Sequence, residues 1–165
     1  IGDEPACGTN DLMVLMAQSV PTATAIPCVS SFPAGWEAGD VIVKSDRSRF
    51  QLHATENRVE VTLQQLDECE IDGTLEVPSE ELGARRYDTA TQLPPNVRAM
   101  RTYVFDGGCV TVEYALDDTA DASLLVELDR ALSFQPRSEL VDIVDERTGL
   151  ILCGAEAPGC IGGEP

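Results

Sequence analysis

The stretch Tyr103–Tyr114, YVFDGGCVTVEY, decides the fold class, because two runs of alternating apolar and polar residues flank a pair of glycines. Successive side chains of a strand point to opposite faces of a sheet. Gly107 and Gly108 can adopt the positive φ values of a tight hairpin turn. The stretch therefore predicts an antiparallel hairpin, with Cys109 at the start of its second strand on the more polar face. Its apolar face would carry Tyr103, Phe105, Val110, Val112, Tyr114 and Leu116.

The same alternation recurs upstream, which indicates that the hairpin belongs to a larger antiparallel sheet. Residues 50–54 and 59–64 each carry apolar side chains at every second position, and another strand is predicted to begin at Arg85. Residues 67–81 are acidic and contain a glycine and a proline, which is typical of a loop with room for one short edge strand. We expect a meander of about five to seven strands.

Helix signals stand at both ends of the chain. Thr9 and Asn10 can cap a helix over residues 11–19. A second helix is predicted to be capped by Asp117–Thr119 and to run through about Leu132, and a third is predicted with Pro136 at its first position and Gly149 at its end. The sequence thus predicts a single α+β domain over residues 1–165, in which an N-terminal helix and two C-terminal helices pack on an antiparallel sheet meander. Residues 150–165 would form a C-terminal tail that is cross-linked through its cysteines.

The cysteine pattern indicates an oxidising compartment. The chain has six cysteines, an even number, and none of them forms a CxxC pair. Three disulfides are the economical interpretation. Local spacing suggests Cys7–Cys28 around the first helix and Cys153–Cys160 in the tail, which leaves Cys69–Cys109 by elimination. Alternatively, one terminal cysteine ties the N-terminal and C-terminal segments together.

Charge and hydropathy exclude several classes of partner. The formal net charge is −18, so the chain repels phosphate backbones and anionic lipid surfaces. Nucleic acid is therefore not an expected partner. The longest uninterrupted apolar run, Leu12–Ala17, is far too short to span a membrane. Because the chain begins at Ile1, we expect any signal peptide or membrane anchor to lie in a segment that this chain lacks.

Catalytic and metal-binding patterns are weak. The single histidine, His53, lies on the polar face of its predicted strand, and no G-x-S-x-G motif is present. Residues 68–73 partly match a calcium-binding loop, but Ser79 stands where that loop needs Glu. We therefore expect no catalytic residue, no metal and no cofactor, and we interpret Cys109 as a disulfide partner.

Basic residues cluster around one predicted strand pair, where arginine forks could grip a carboxylate or a phosphate. The alternative is that these arginines neutralise the surrounding acidic residues. The candidate ligand-binding residues are Arg85, Arg86, Arg98, Arg101 and Tyr103.

Several short motifs support a family resemblance. They include Pro33-Ala34-Gly35-Trp36, Gly83-Ala84-Arg85-Arg86-Tyr87 and Phe105-Asp106-Gly107-Gly108-Cys109-Val110-Thr111, with Gln18-Ser19-Val20-Pro21 and Ile26-Pro27-Cys28 before them. Over residues 7–140 the chain resembles extracytoplasmic domains of uncharacterised actinobacterial membrane-anchored surface proteins. The resemblance implies a tethered domain outside the cytoplasm, and it implies no activity.

Three functions stay open at this point. The first is a non-enzymatic sensing or binding module for a small ligand or cell-wall fragment. The second is a protein-interaction or structural surface domain without a pocket, whose partner would be an envelope protein. The third is a secreted hydrolase that uses two carboxylates.

Overall fold

The computed structural model describes residues 5–8, 11–54, 59–81, 83–93, 95–118 and 123–155. It confirms the predicted α+β class. The helices are α1 (Asp11–Ser19), α2 (Ser123–Ala131) and α3 (Arg137–Thr148). The strands are β1 (Ala25–Val29), β2 (Trp36–Val43), β3 (Ser48–Ala54), β4 (Val59–Leu66), β5 (Leu75–Val77), β6 (Arg85–Gln92), β7 (Val97–Phe105), β8 (Gly108–Leu116) and β9 (Leu132–Pro136).

The main sheet is antiparallel and has seven strands in the order β2-β3-β4-β8-β7-β6-β5. It consists of two meanders, β2-β3-β4 and β5-β6-β7-β8, that meet where β4 pairs with β8. The short edge strand expected within residues 67–81 is β5, which pairs with β6. We call the hairpin of β7 and β8 the opening hairpin; its strand β8 is the central strand of the seven.

One face of the main sheet forms the core, and we call the opposite face the outer face. Buried and partly buried residues alternate along β3 and β4, as the sequence predicts. All three helices pack on the core face. The buried cluster contains Met13 and Met16 from α1, Leu128 from α2, Leu140 from α3, and Phe50, Leu52, Val61, Leu63, Val110 and Val112 from the sheet.

A second, two-stranded sheet was not predicted. β9 pairs antiparallel with β1, and Phe134 lies opposite Pro27. The sequence pattern predicted that residue 132 belongs to the second helix and that Pro136 is the first residue of the third. The structure corrects both: α2 ends at Ala131, and Pro136 is the N-cap of α3. Gly149 ends α3 with φ 73°, as predicted.

Two of the predicted disulfides are confirmed. Cys7 is bonded to Cys28 and Cys69 to Cys109. The second bond ties the acidic loop after β4 to the start of β8, so Cys109 links two segments and is only 1% exposed. Cys153 is also disulfide-bonded, and its predicted partner, Cys160, lies outside the described residues.

The tip of the opening hairpin is pressed against the turn that joins α1 to β1. Phe105 pairs with Gly108, so the turn residues are Asp106 and Gly107, and only Gly107 of the two glycines has a positive φ, of 77°. Thr24 donates its backbone N–H and its hydroxyl to the carbonyl of Asp106, at 3.2 and 2.8 Å. A Cβ on Gly107 would collide with the carbonyl of Thr22.

We expect Gly107→Ala to destabilise the protein more than Gly73→Ala does. Both glycines have φ of 77°, so both substitutions introduce backbone strain of about 1 kcal/mol. Only the Cβ at position 107 meets another chain segment, which adds about 2 kcal/mol. Urea denaturation of both variants measures the difference. Equal losses in free energy of unfolding would show that the hairpin tip does not need this close approach.

Arg137, the first residue of α3, is completely buried. Its Nη1 donates to the carbonyls of Ala17, Val20 and Ala23 at 2.8, 3.4 and 3.4 Å, and its Nη2 donates to the carbonyl of Cys153 at 2.8 Å. Among the described residues no carboxylate lies within ion-pair distance of it, and burial lowers the pKa of its guanidinium. The negative end of the α1 dipole supplies part of the missing countercharge.

We expect Arg137→Met to lower the free energy of unfolding by about 3 kcal/mol, because buried carbonyls lose their donors. Arg130→Met is the matched control, since Arg130 is exposed on α2 and its loss should change stability by less than about 0.5 kcal/mol. Urea midpoints of the two oxidised variants test this. Similar midpoints would mean that the carbonyls around Arg137 find other partners.

Candidate functional site

The structure divides the predicted arginines between the two faces of the sheet. Arg85 and Arg98 lie on the outer face. Both nitrogens of the Arg85 fork bind Glu76, at 2.8 and 2.9 Å. Arg98 lies 3.8 Å from Glu113. These two arginines are 67% and 56% exposed, so their ion pairs contribute little to stability.

The other three predicted residues, Arg86, Arg101 and Tyr103, lie together on the core face at the β5-β6 end of the sheet. Arg86 binds Asp88 through two nitrogens at 2.8 and 3.0 Å. Arg101 donates to Asp129 of α2 at 2.9 Å. We call the group of Glu80, Arg86, Asp88, Arg101, Tyr103 and Asp129 the polar network.

Tyr103 connects the arginines to the loop before β6. Its hydroxyl accepts a hydrogen bond from Arg101 at 3.3 Å and donates one to Glu80 at 2.7 Å. Burial raises the pKa of Tyr103 to about 12, and the hydrogen bond to Glu80 acts in the same direction. Burial alone would raise the pKa of Glu80 as well, but hydrogen bonds from Tyr103 and Arg86 leave it lowered. Glu80 is therefore held ionised.

The positive charges of the polar network are compensated by its carboxylates. Arg86 and Arg101 face three carboxylates, those of Glu80, Asp88 and Asp129. The arginines are thus paired with acidic side chains, which is the second of the two alternatives that the sequence raised. A ligand-binding role for Arg85, Arg86, Arg98, Arg101 and Tyr103 stays a prediction.

A cleft of about 500 Å³ opens beside the polar network. We use the term cleft for this cavity. It lies between the loop before β6, the tip of the opening hairpin and the two-stranded sheet of β1 and β9, which we call the β1–β9 ribbon. Phe105 and Phe134 contribute apolar walls, with their rings edge to face at 5.9 Å. Glu80, Glu81 and Asp106 contribute carboxylates.

Glu81 differs in its environment from Glu80, the neighbouring carboxylate of the same loop. It is half-buried and lines the cleft. Burial and the charge of Glu80 raise the pKa of its carboxyl. In the described part of the chain, no arginine or lysine forms an ion pair with it. This carboxylate is therefore partly desolvated and uncompensated, which is the kind of group that a ligand can satisfy.

Sequence reasoning missed the cleft for two reasons. Glu81 stood within an acidic loop in which no carboxylate was distinguished from its neighbours. Phe134 was placed between two helices, because the strand β9 was not recognised. The pairing of β1 with β9 is what brings Phe134 to Phe105 and Tyr103.

A separate apolar groove of about 370 Å³ lies between α1, α3 and the segment after α3. Three of its large apolar side chains are at least half exposed, namely Leu15, Leu150 and Ile151. Exposed apolar surface of this kind is typical of contact with another protein.

The described residues contain no group of His, Cys, Asp and Glu side chains arranged to hold a metal ion. None of the helices in this part of the chain is long and apolar enough to cross a membrane. Comparisons with protein families, with characterised proteins and with solved structures give no match. The resemblance to actinobacterial surface domains thus stays a prediction.

We expect Tyr103→Phe to lower the free energy of unfolding by about 1 kcal/mol at pH 7, because Glu80 loses a donor. The difference from wild type should shrink as the pH rises from 9 to 11.5. The folded-state pKa of Tyr103 is raised from 10.0 to about 12, so its stabilising contribution is complete below pH 10 and is lost as the pH approaches 12. Brief urea titrations at each pH measure this difference. A difference that stays constant over this range would contradict the assignment.

Proposed function

We propose that this chain is a non-enzymatic extracytoplasmic sensing or binding module of a membrane-anchored bacterial envelope protein, and that it recognises a small ligand in the cleft. The observation that carries the proposal is the cleft itself. Its volume of about 500 Å³ falls in the range of small-molecule sites, and it combines apolar walls with a few polar groups as such sites do.

The location outside the cytoplasm is supported by the disulfides. Cys7–Cys28 and Cys69–Cys109 indicate an oxidising environment. The anchoring is supported by the sequence resemblance to surface domains.

The non-enzymatic part of the proposal is supported by the position of His53. This residue lies on the outer face of β3, with Glu37 and Glu60 as its cross-strand neighbours, while the cleft lies on the core side. A carboxylate-dependent hydrolase would instead use two of the carboxylates that line the cleft, those of Glu80, Glu81 and Asp106. Turnover of glycan substrates with a bell-shaped pH dependence that Glu81→Gln abolishes would favour the hydrolase over our proposal.

A protein-interaction module is the second candidate function. The apolar groove at α1 and α3, with Leu15, Leu150 and Ile151 exposed, is the observation that favours it. An envelope protein would be the partner in that case.

The test is a thermal-shift screen of the oxidised protein against muropeptides, sugars, phosphates, amines, lipids and Ca²⁺ at two salt concentrations. A ligand that binds only the folded state raises the melting temperature. We expect at least one compound to raise it in wild type and in Ala115→Phe, which alters the outer face. The shift should disappear in Ala84→Phe, which fills part of the cleft.

Two results would count against the proposal. A shift that persists in Ala84→Phe would place the ligand elsewhere. If no compound produces a shift, the cleft is not a small-ligand site. Retention of an envelope protein that Leu15→Glu abolishes would then favour the interaction module.

A further inference from the structure

We propose that the ligand of the cleft is an organic cation, whose ammonium or guanidinium group binds the carboxylate of Glu81 while its apolar body lies against Phe105 and Phe134. This inference rests on the proposed function and adds the chemical class of the ligand.

The first argument is the state of the carboxylates. Glu80 is already satisfied: one oxygen accepts from Tyr103 at 2.7 Å and the other from Arg86 at 3.1 Å. Glu81, the next residue, shows no such compensation from the described residues, although it is half-buried. A bound cation would offset both the desolvation of Glu81 and the repulsion from Glu80, the two effects that raise its pKa.

The second argument concerns the arginines. An anion would need a free guanidinium, yet Arg86 is held by Asp88 and Glu80, and Arg101 by Asp129. To reach either arginine, an anion would have to displace a carboxylate that stays close by. The cleft presents Glu81, and Asp106 is exposed at its edge. The local field therefore disfavours anions, and so does the net charge of −18.

The third argument is the apolar part of the lining. Phe105 and Phe134 lie partly exposed in the same cleft. An aliphatic stem packs on such rings, and a cation near an aromatic face gains a further attraction. A bare metal ion would gain nothing from these walls. The combination fits an alkylammonium or guanidinium compound, which is the chemistry of diamines and of basic amino-acid side chains.

The experiment compares three probes of the same carbon chain length: cadaverine, which is a dication, glutarate, which is a dianion, and 1-pentanol, which is neutral. Binding to the oxidised protein is followed by isothermal calorimetry and by NMR shifts of the Phe ring protons at about 0.15 M salt, where distant surface charges are screened. The variant is Glu81→Gln. The matched control is Glu146→Gln, which removes the same charge from an exposed position on α3.

We expect cadaverine to bind wild type and Glu146→Gln equally, and to bind Glu81→Gln about tenfold more weakly, because a charge-assisted hydrogen bond is lost. Glutarate and 1-pentanol should bind at least about tenfold more weakly than cadaverine. Equal weakening by the two variants would mean general attraction to an acidic surface and would overturn the inference.

Other outcomes separate this inference from the proposed function. If glutarate binds in the cleft and Arg86→Met abolishes that binding, the ligand class is wrong while the binding module stands. If no probe binds while another compound of the thermal-shift screen does, the ligand class is again wrong. If nothing binds in either experiment, the proposed function fails as well.

Discussion

The buried guanidinium of Arg137 is the constraint on which the arrangement of the chain ends depends. It binds the carbonyls at the end of α1, the carbonyls of the following turn and the carbonyl of Cys153. The backbone N–H of Arg137 also donates to Thr24 at 2.8 Å. The same turn receives the tip of the opening hairpin through Thr24 and Gly107. One cation thus holds together α1, α3 and the tail, at the place where the main sheet touches them. Without it, several buried carbonyls would lack donors, and a cost of that kind exceeds what most single apolar contacts contribute.

The strand periodicity was sufficient to predict the main sheet. It did not predict where that sheet ends, and it did not predict the β1–β9 ribbon. Alternation assigned the correct faces to Tyr103, Val110 and Val112 because apolar side chains dominate one face. The ribbon was missed since β9 has five residues and directly joins two helices, so its pattern is too short to separate from helix. Arg137 was missed for a different reason. A buried arginine whose hydrogen-bond acceptors are backbone carbonyls has no sequence signature, because its partners are main-chain atoms contributed by distant segments.

The candidate site shows a similar division between what the sequence could and could not predict. The cluster of arginines around one predicted strand pair was visible in the sequence. The acidic partners of these arginines were not predictable, because Asp129 comes from a helix and Glu80 from an irregular loop. Their positions depend on tertiary packing, and only that packing decides whether an arginine is free or compensated. The cleft was also invisible, since its aromatic wall needs the unpredicted pairing of β1 with β9.

The polar network also explains how an irregular loop can form one wall of the cleft. An unrestrained loop would lose conformational entropy when a ligand binds. Tyr103 and Arg86 each hold Glu80, and both lie on strands inside the sheet. This anchors the loop one residue before Glu81. The carboxylate that faces the cleft is thereby positioned in advance by its neighbour, while its own charge is left uncompensated. The proposed site would thus separate positioning from recognition: Tyr103 and Arg86 fix the loop through Glu80, and the carboxylate of Glu81 would select the sign of the ligand's charge.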